Sequence, residues 1–183
     1  MLWQGDGNVA NKVDGQLINQ TAFAPQTDAR AFRTALGRFA TGVCVITAPG
    51  PDGPAGFTAN SFAALSLDPP LVLWSPAKSS QRFAIFGAAP RFSIHVLADD
   101  QADIAARFIR GGAGFDGLAH SLSDHGVPII TEALARFDCH LHATHDGGDH
   151  VIVVGHVNAA AYRDGAPLVF ASGGYGSFAP QQS

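Results

Sequence analysis

Short runs of apolar residues, many of them β-branched or aromatic, recur along the chain from residue 43 onwards, separated by turn-forming residues. Runs of this length, bounded by Gly, Pro, Asn or Asp, are typical of β-strands. The two longest runs flank the sequence DGGD, which predicts a hairpin between them. The predicted strands are 43–48, 57–65, 71–75, 92–97, 133–145, 150–163 and 167–171.

Three short segments instead repeat apolar residues at helical spacing. In the first, Phe32, Leu36 and Phe39 follow Asp28, a residue type that often caps the start of a helix. The other two predicted helices begin at Lys78-Ser79-Ser80, with Phe83 and Phe86 on the apolar face, and at Asp99 or Asp100, with Ile104 and Phe108 inward. Six or seven strands joined mainly by turns predict a mainly β fold, an antiparallel barrel with short helices outside it. A parallel sheet would need more crossover helices than the chain supplies.

The composition favours one globular domain that carries few charged groups. The chain has 183 residues, of which 46% are hydrophobic and only 14% are charged, against a usual quarter. A surface so poor in charge predicts a protein partner, and a second copy of the chain would form a homodimer. Residues 1–27 are rich in Gly, Asn and Gln and lack periodicity, so we interpret them as an N-terminal arm, flexible or packed on a partner. Residues 28–183 form the predicted domain.

The charge pattern also bears on partners and location. The net charge is −4, and Lys12 and Lys78 are the only lysines, so neither nucleic-acid binding nor attachment to a membrane is expected. The N-terminus has no apolar stretch of signal-peptide length, and no run approaches the length of a membrane span. Cys44 and Cys139 lie in apolar runs and are interpreted as buried, reduced thiols. Together these features predict a cytoplasmic protein.

Two sequence patterns resemble functional motifs but lack the required context. GAGFDG (112–117) matches the dinucleotide-binding pattern G-x-G-x-x-G, yet a predicted helix precedes it where a strand is needed. HLHATH (140–145) would place His140 and His142 on one face of a strand, but no further ligand motif completes a metal site. A surface loop and an exposed polar face are the better interpretations, and no metal is predicted. No G-x-S-x-G motif for nucleophilic catalysis occurs.

Three polar clusters are better candidates for ligand contact. Thr58-Ala59-Asn60-Ser61 could hydrogen-bond the edge of a flat heteroaromatic ring, or could be a buried polar cluster satisfied by the backbone. Lys78-Ser79-Ser80 combines a cation with two hydroxyls where a helix is predicted to begin, which fits either a phosphate site or a plain serine cap. His150, in GDH at the hairpin turn, is a ligand candidate or simply a turn residue.

Taken in order, several segments resemble the short-chain flavin reductases, the reductase components of two-component flavin-dependent monooxygenases. The resemblance covers residues 28–175, and the ordered set is more specific than any single segment. The resemblance implies the FMN-binding fold of that family, a six- to seven-stranded antiparallel Greek-key split β-barrel with peripheral short helices. The matching segments are FRTALGRFATGVCVIT, GFTANSFAALSLDPPLVLWSP, FSIHVLADDQ, ARF, GDH and GGY.

The resemblance also implies roles for individual residues. The T-A-N-S segment would contact the isoalloxazine and ribityl chain of the flavin, and the bend at Asp68-Pro69-Pro70 would lead the chain to the phosphate end. His150 would face the nicotinamide. Tyr175 would close the pocket, although Gly176 follows it where a His is common. His95 stands where many relatives have Asn. The flavin-binding candidates are Thr58, Ala59, Asn60, Ser61, Ser75, Lys78, Ser79, Ser80, His95, Phe108 and Tyr175.

The activity implied by the resemblance is hydride transfer from NADH or NADPH to FMN or FAD, followed by delivery of the reduced flavin to a partner monooxygenase. Such chemistry is carried by the cofactors, so it needs no protein nucleophile. Two alternatives remain open at this stage. The same fold could reduce another acceptor, a ferric chelate or a corrinoid, or it could bind flavin without turnover. The sequence does not distinguish FMN from FAD or NADH from NADPH.

Overall fold

The computed structural model describes residues 7–13, 16–109 and 114–181. The chain divides into two compact units, one formed by Met1–Ala40 with Ala171–Gly173, the other by Thr41–Phe170 with Gly174–Ser183.

The first unit contains a hairpin and a helix. Strand β1 (Gly7–Val13) pairs antiparallel with β2 (Gln16–Ala22), where the sequence predicted no strand because these residues show no apolar face. Helix α1 (Ala29–Leu36) begins as predicted after Asp28, whose carboxylate accepts a hydrogen bond from the backbone N–H of Ala31 at 2.8 Å. The helix buries none of its residues within this chain. The assignment of 1–27 as an arm on a partner therefore stays a prediction.

The second unit holds the main sheet, which has seven strands, every adjacent pair antiparallel. Its strand order is β5-β4-β8-β11-β12-β7-β6. In chain order the strands of this unit are β3 (Thr41–Gly42), β4 (Cys44–Gly50), β5 (Gly53–Ala59), β6 (Ala63–Leu67), β7 (Pro70–Trp74), β8 (Arg91–Val96), β9 (His120–Leu122), β10 (Pro128–Ile130), β11 (Ala135–Gly147), β12 (His150–Tyr162), β13 (Leu168–Ala171) and β14 (Gly174–Ser177). The predicted mainly β, antiparallel fold is confirmed.

Two smaller sheets accompany the main one. The sheet β14-β13-β3 brings the C-terminal strands beside the start of β4, with Val169 opposite Gly42. The β9–β10 hairpin lies against the main sheet through side chains rather than through strand pairing. The Thr47 hydroxyl donates to the backbone oxygen of Pro128 at 2.5 Å, and His95 contacts Ile130. The second of these contacts uses His95, which the family resemblance assigns to flavin binding.

Two element boundaries differ from the sequence prediction. The predicted strand 57–65 is two strands, β5 and β6, separated at Asn60–Phe62. The chain breaks there because the Ser61 hydroxyl accepts a hydrogen bond from the backbone N–H of Ser75 and so replaces strand pairing. Helix α2 spans only Phe83–Phe86 and begins after Arg82, not at Lys78. Helix α3 (Ala102–Arg107) begins after Gln101, just beyond the predicted cap at Asp99 or Asp100.

Two apolar clusters form the core. The larger lies between the main sheet and α2, around Trp74, Phe86 and Phe92, and the smaller surrounds Phe108 beneath α3. Cys44 and Cys139 are free and buried in the larger region, and burial raises the pKa of each thiol to about 12. Among the residues described, no helix is long and apolar enough to cross a bilayer.

The backbone of β5 approaches the smaller cluster unusually closely. A Cβ atom placed on Gly56 would lie 2.2 Å from Cδ1 of Phe108, whose ring is fully buried and packs edge-on against Phe115 at 4.9 Å. Glycine is therefore required at position 56 for α3 to close on the edge of β5. The same approach places the residues after α3 beside Thr58, at the end of β5.

Candidate functional site

A cavity of about 210 Å³ opens where β5 ends, beside the β13–β14 strands. Its walls are mainly apolar, with the amide of Asn60 and the hydroxyl of Thr58 as polar groups. Tyr175 packs edge-on against Phe170, with ring centroids 5.6 Å apart. The lining residues are Val43, Thr58, Ala59, Asn60, Ile109, Phe170 and Tyr175. Four of the sequence-predicted flavin contacts therefore share one cavity, together with three residues that the sequence did not indicate.

Thr58 holds one wall of this cavity in place. Its hydroxyl donates to the backbone oxygen of Ala105 in α3 at 2.7 Å. Its backbone N–H donates to the backbone oxygen of Phe108 at 3.2 Å. Both bonds tie the edge of β5 to the end of α3. The Thr58 hydroxyl is thus engaged internally, while the exposed Asn60 keeps its amide free of any protein hydrogen bond among the described residues.

Ser61 and Ser75 form a second link near the cavity. The Ser61 hydroxyl accepts from the backbone N–H of Ser75 at 2.9 Å and lies 3.3 Å from the Ser75 carbonyl oxygen. This pair joins the T-A-N-S segment to the end of β7. The chain then continues from Ser75 to the turn that contains Lys78. The Ser61–Ser75 link therefore fixes the T-A-N-S segment close to the turn that was predicted to bind the phosphate.

Lys78 and His150 are brought together at the tip of the β11–β12 hairpin. The Lys78 ammonium donates to Asp146 and, at 2.6 Å, to the backbone oxygen of Gly148, while its backbone N–H donates to Asp149. The Nδ1 atom of His150 lies 2.7 Å from the Asp149 carboxylate. Hydrogen bonding to Lys78 lowers the pKa of Asp146, and hydrogen bonding to His150 lowers that of Asp149. The tip is a solvent-exposed, charged cluster.

The two serines of the Lys78 turn differ in their environments. Ser79 is exposed, and the hydroxyl of the half-buried Ser80 accepts from the backbone N–H of Arg82 at 3.3 Å. Because α2 has only four residues and begins at Phe83, Lys78, Ser79 and Ser80 do not form a helix N-terminus that could bind a phosphate. What remains for a phosphate here is the charge of Lys78 and the two hydroxyls.

Two of the predicted flavin contacts, His95 and Phe108, lie inside the core. His95 is fully buried, its Nδ1–H donates to the Val45 carbonyl and its Nε2 accepts from the Ile130 N–H, both at 3.1 Å. Burial lowers the pKa of His95 to about 4, so the ring is neutral near pH 7. Phe108 is fully buried as well. With both ring nitrogens of His95 occupied and Phe108 inside the core, neither side chain is available to a cofactor.

The remaining motifs stay outside the candidate site. Of the GAGFDG segment, residues 112 and 113 lie outside the described residues, and 114–117 form turns rather than the start of a helix. No group of metal-ligating side chains occurs among the residues that the structure describes. His140 stacks on His156 with ring centroids 4.7 Å apart and contacts Asn158, which makes it part of a strand-to-strand packing pair.

Sequence reasoning missed Val43, Ile109, Phe170 and, behind the cavity, Arg82. Val43 and Phe170 belong to apolar strand runs, where a cavity-lining residue looks the same as a core residue. Ile109 lies at the end of the predicted helix that contains Ile104 and Phe108, so its sequence position alone gives no sign of a cavity. Arg82 carried a signal that could have been noticed, because it is a charged residue placed between Ser80 and the apolar Phe83.

The antiparallel sheet and the apolar, amide-edged cavity at the end of β5 suit the class of proteins that bind a flat heteroaromatic cofactor. The cavity suits the ring end of a flavin, since apolar walls suit the faces of the ring and the Asn60 amide suits its polar edge. Comparison with known proteins identifies the class. The sequence profile of the family described as "Flavin reductase like domain" matches residues 36–179.

Two curated relatives and one solved structure illustrate the similarity. FMN reductase (NADH) SmoA of Agrobacterium fabrum is 55% identical over 91% of this chain and 96% of the relative. The flavin-dependent monooxygenase reductase subunit HsaB of Rhodococcus jostii is 43% identical over 87% and 83%. The Streptomyces globisporus NADH:FAD oxidoreductase SgcE6, solved with NAD and FAD fragments, is 34% identical, with a TM-score of 0.83 over 90% of this chain and 100% of that one.

The chain belongs to the flavin reductase family. It is an oxidoreductase that uses a nicotinamide co-substrate to reduce flavin, as the sequence resemblance implied.

Proposed function

We propose that this protein oxidises NADH, reduces FMN and supplies the reduced flavin to a partner flavin-dependent monooxygenase. The observation that carries the proposal is the cavity at the end of β5, where Thr58, Ala59, Asn60 and Tyr175 meet as the resemblance requires. The choice of NADH and FMN is supported by the relative named FMN reductase (NADH). The choice of partner is supported by the relative named as a monooxygenase reductase subunit.

The test follows NADH by its absorbance at 340 nm in the presence of each flavin. We expect oxidation that requires added flavin, is faster with NADH than with NADPH, and reaches half-saturation at a lower FMN than FAD concentration. A ferric chelate or a corrinoid reduced without free flavin would instead favour the other-acceptor reductase. Tight flavin binding without any NADH oxidation would identify a binding module and contradict the proposal.

The chain's own groups position the reactants rather than take part in bond formation. A bound flavin supplies the atom that accepts the hydride, so the protein needs no nucleophile. Ala59 and Phe170 supply flat apolar walls, and the Asn60 amide is placed to hydrogen-bond a ring edge. Tyr175 lines the cavity and is 43% exposed, so the site is partly open to solvent. A partly open site suits a protein that must admit a dinucleotide and release a reduced product.

We assign the phosphate of the flavin to Lys78, the only lysine in the second unit. Lys78→Ala should weaken FMN binding by about 1–3 kcal/mol, because a cation beside a phosphate forms charge-assisted hydrogen bonds. Riboflavin, which lacks the phosphate, provides the control and should bind almost unchanged. Fluorescence titration of the two flavins measures both affinities. Equal losses for FMN and riboflavin would show that Lys78 serves only the hairpin tip.

We assign the nicotinamide side of the site to His150. His150→Ala should leave flavin affinity unchanged and lower kcat/KM for NADH by one to two orders of magnitude, or about 1.4–2.8 kcal/mol of transition-state stabilisation. His145→Ala is a matched control, since His145 is exposed on the same hairpin. Stopped-flow reduction of the flavin-loaded variant gives the rate directly. An unchanged rate at every NADH concentration would show that His150 is only a turn residue.

We also propose that the protein is a homodimer in which a second copy completes the flavin site. The cavity of about 210 Å³ is smaller than the roughly 300–1,000 Å³ typical of small-molecule sites. Large apolar side chains of the main sheet are exposed, among them Leu67 at 96% and Tyr162 at 88%. Light scattering at micromolar concentration should report twice the chain mass, and a fully active monomer would contradict the proposal.

A cytoplasmic location completes the proposal. It is supported by the two free, buried cysteines, which fit a reducing compartment. Fractionation of the producing cell should recover the NADH-dependent flavin reductase activity with cytoplasmic markers, and recovery elsewhere would contradict the assignment.

A further inference from the structure

The side chain of Arg82 is directed at the backbone behind the cavity, not at solvent. Its Nη1 donates to the carbonyl oxygens of Gly56 at 2.6 Å and Phe108 at 2.7 Å, and its Nη2 donates to that of Ile109 at 2.9 Å. The guanidinium carbon lies 4.8 Å from the centre of the Phe57 ring. Burial lowers the pKa of Arg82, although a guanidinium stays charged at neutral pH.

These carbonyls belong to two backbone segments that lie outside regular strand and helix pairing, and the Phe108 oxygen also accepts from the Thr58 N–H. Strand β5 is the end strand of the main sheet, so the Gly56 oxygen faces no neighbouring strand. Phe108 and Ile109 follow the last residue of α3, where helix carbonyls have no intrahelical donor. The planar, multiply donating guanidinium satisfies both segments at once and joins them.

The joined segments form one wall of the flavin cavity. Ile109 lines the cavity although about half of its surface is exposed, and Thr58 lines it from the β5 side. The two hydrogen bonds that Thr58 makes to Ala105 and Phe108 lie on the same edge of β5 as the Gly56 carbonyl. Arg82 itself does not line the cavity. It can therefore influence the cavity only by fixing the position of the wall.

We propose that Arg82 is a positioning residue for flavin reduction, holding Ile109 against the edge of β5 so that the ring is seated at a fixed depth. The inference rests on the flavin site proposed above. Hydride transfer needs the two reacting rings at close and fixed separation, and a displacement of about 1 Å can cost up to roughly a hundredfold in rate. A loose wall would thus slow the reaction even when both ligands are bound.

The test compares Arg82→Met, Ile109→Ala and the double variant by stopped-flow reduction of bound flavin at saturating NADH. Arg82→Met should slow reduction about tenfold or more. If Arg82 acts through Ile109, the double variant should be no slower than the slower single variant. The effects of two coupled substitutions on the free energy of activation are then not additive. Arg82→Lys should recover part of the rate, since a single ammonium reaches fewer carbonyls than a guanidinium.

Arg107→Met provides the matched control. Arg107 is an exposed arginine in α3 whose Nη1 donates to the backbone oxygen of Asp116, away from the cavity. This variant should reduce flavin at the wild-type rate. Wild-type protein without NADH oxidation would refute the proposed function itself, whereas active wild type lets the Arg82 variants decide the inference.

Three outcomes would overturn the role of Arg82. The first is a wild-type reduction rate in Arg82→Met. The second is independent, multiplicative losses in the double variant. The third is a loss confined to FMN affinity with riboflavin unaffected, which would make Arg82 a phosphate ligand. If Arg82→Met does not fold, the folded Arg82→Lys variant decides, because a wild-type rate in it would contradict the positioning role.

Discussion

Replacing Gly56 with alanine is expected to destabilise the protein by about 3 kcal/mol, the upper end of the usual cost of overpacking a core. The new methyl group would lie 2.2 Å from one carbon of the Phe108 ring and 2.4 Å from another. The ring cannot retreat easily, because Phe115 packs on it and Gly114 approaches it closely. Either β5 or the end of α3 must move.

The measurement is thermal or urea denaturation of the flavin-free protein. A loss of about 3 kcal/mol corresponds to a fall in Tm of about 6–12 °C for a chain of this length. Gly42→Ala is the control, since a Cβ there would meet nothing within 4 Å. Combining Gly56→Ala with Phe108→Leu should cost less than the two single changes added together, because the smaller side chain leaves room for the methyl group. Wild-type stability of Gly56→Ala would show that β5 and α3 are not in contact in solution.

The second large effect is a loss of stability at mildly acidic pH caused by His95. Its folded-state pKa is lowered to about 4 by burial, whereas an unfolded histidine titrates near 6.5. Above pH 6.5 both states hold the neutral ring and no penalty arises. Between pH 6.5 and 4 the unfolded state binds a proton that the folded state excludes. The free energy of unfolding therefore decreases as the pH is lowered, by a total of about 3 kcal/mol.

His95→Asn separates this contribution from the acid sensitivity of other groups. The variant should be less stable at pH 7.5, because one amide cannot reach both Val45 and Ile130 as the imidazole does. Its stability should then change less than that of the wild type between pH 6.5 and 4. His142→Asn, an exposed position on β11, serves as the control and should keep the wild-type slope. Equal slopes for His95→Asn and the wild type would contradict the buried neutral ring.

The fold was largely predictable because its strands carry their own signals. The apolar runs that become β4, β7, β8, β11 and β12 are long enough, and bounded by clear enough turns, to be found without tertiary information. The β1–β2 hairpin was missed because its residues give no apolar face. The break between β5 and β6 was missed because it depends on Ser61 binding Ser75, a contact across the next hairpin.

The candidate site was predictable only in part, because several of its residues are brought together by contacts between segments that are distant in the sequence. The sequence indicated four of the lining residues, Thr58, Ala59, Asn60 and Tyr175. The first three belong to a segment where polar residues interrupt an apolar run, and Tyr175 belongs to a segment that resembles the family. Ile109 reaches the cavity only because Arg82 and Thr58 hold the end of α3 there. The burial of His95 was not predictable, because a histidine that bridges backbone groups has no sequence signature that separates it from a ligand.

The pairing of the main sheet also bears on the order in which the chain folds. The β11–β12 hairpin closes through the turn between Gly147 and His150. In contrast, β4 and β8 pair Cys44 with Val96, which are separated by about 50 residues in the sequence. A hairpin forms in about 1–10 μs, while distant strands must first meet the entropic cost of closing a long loop. The β11–β12 amides should therefore gain protection from hydrogen exchange in pulse-labelling before those of β8, because β8 pairs only with β4 and β11, both distant in the chain.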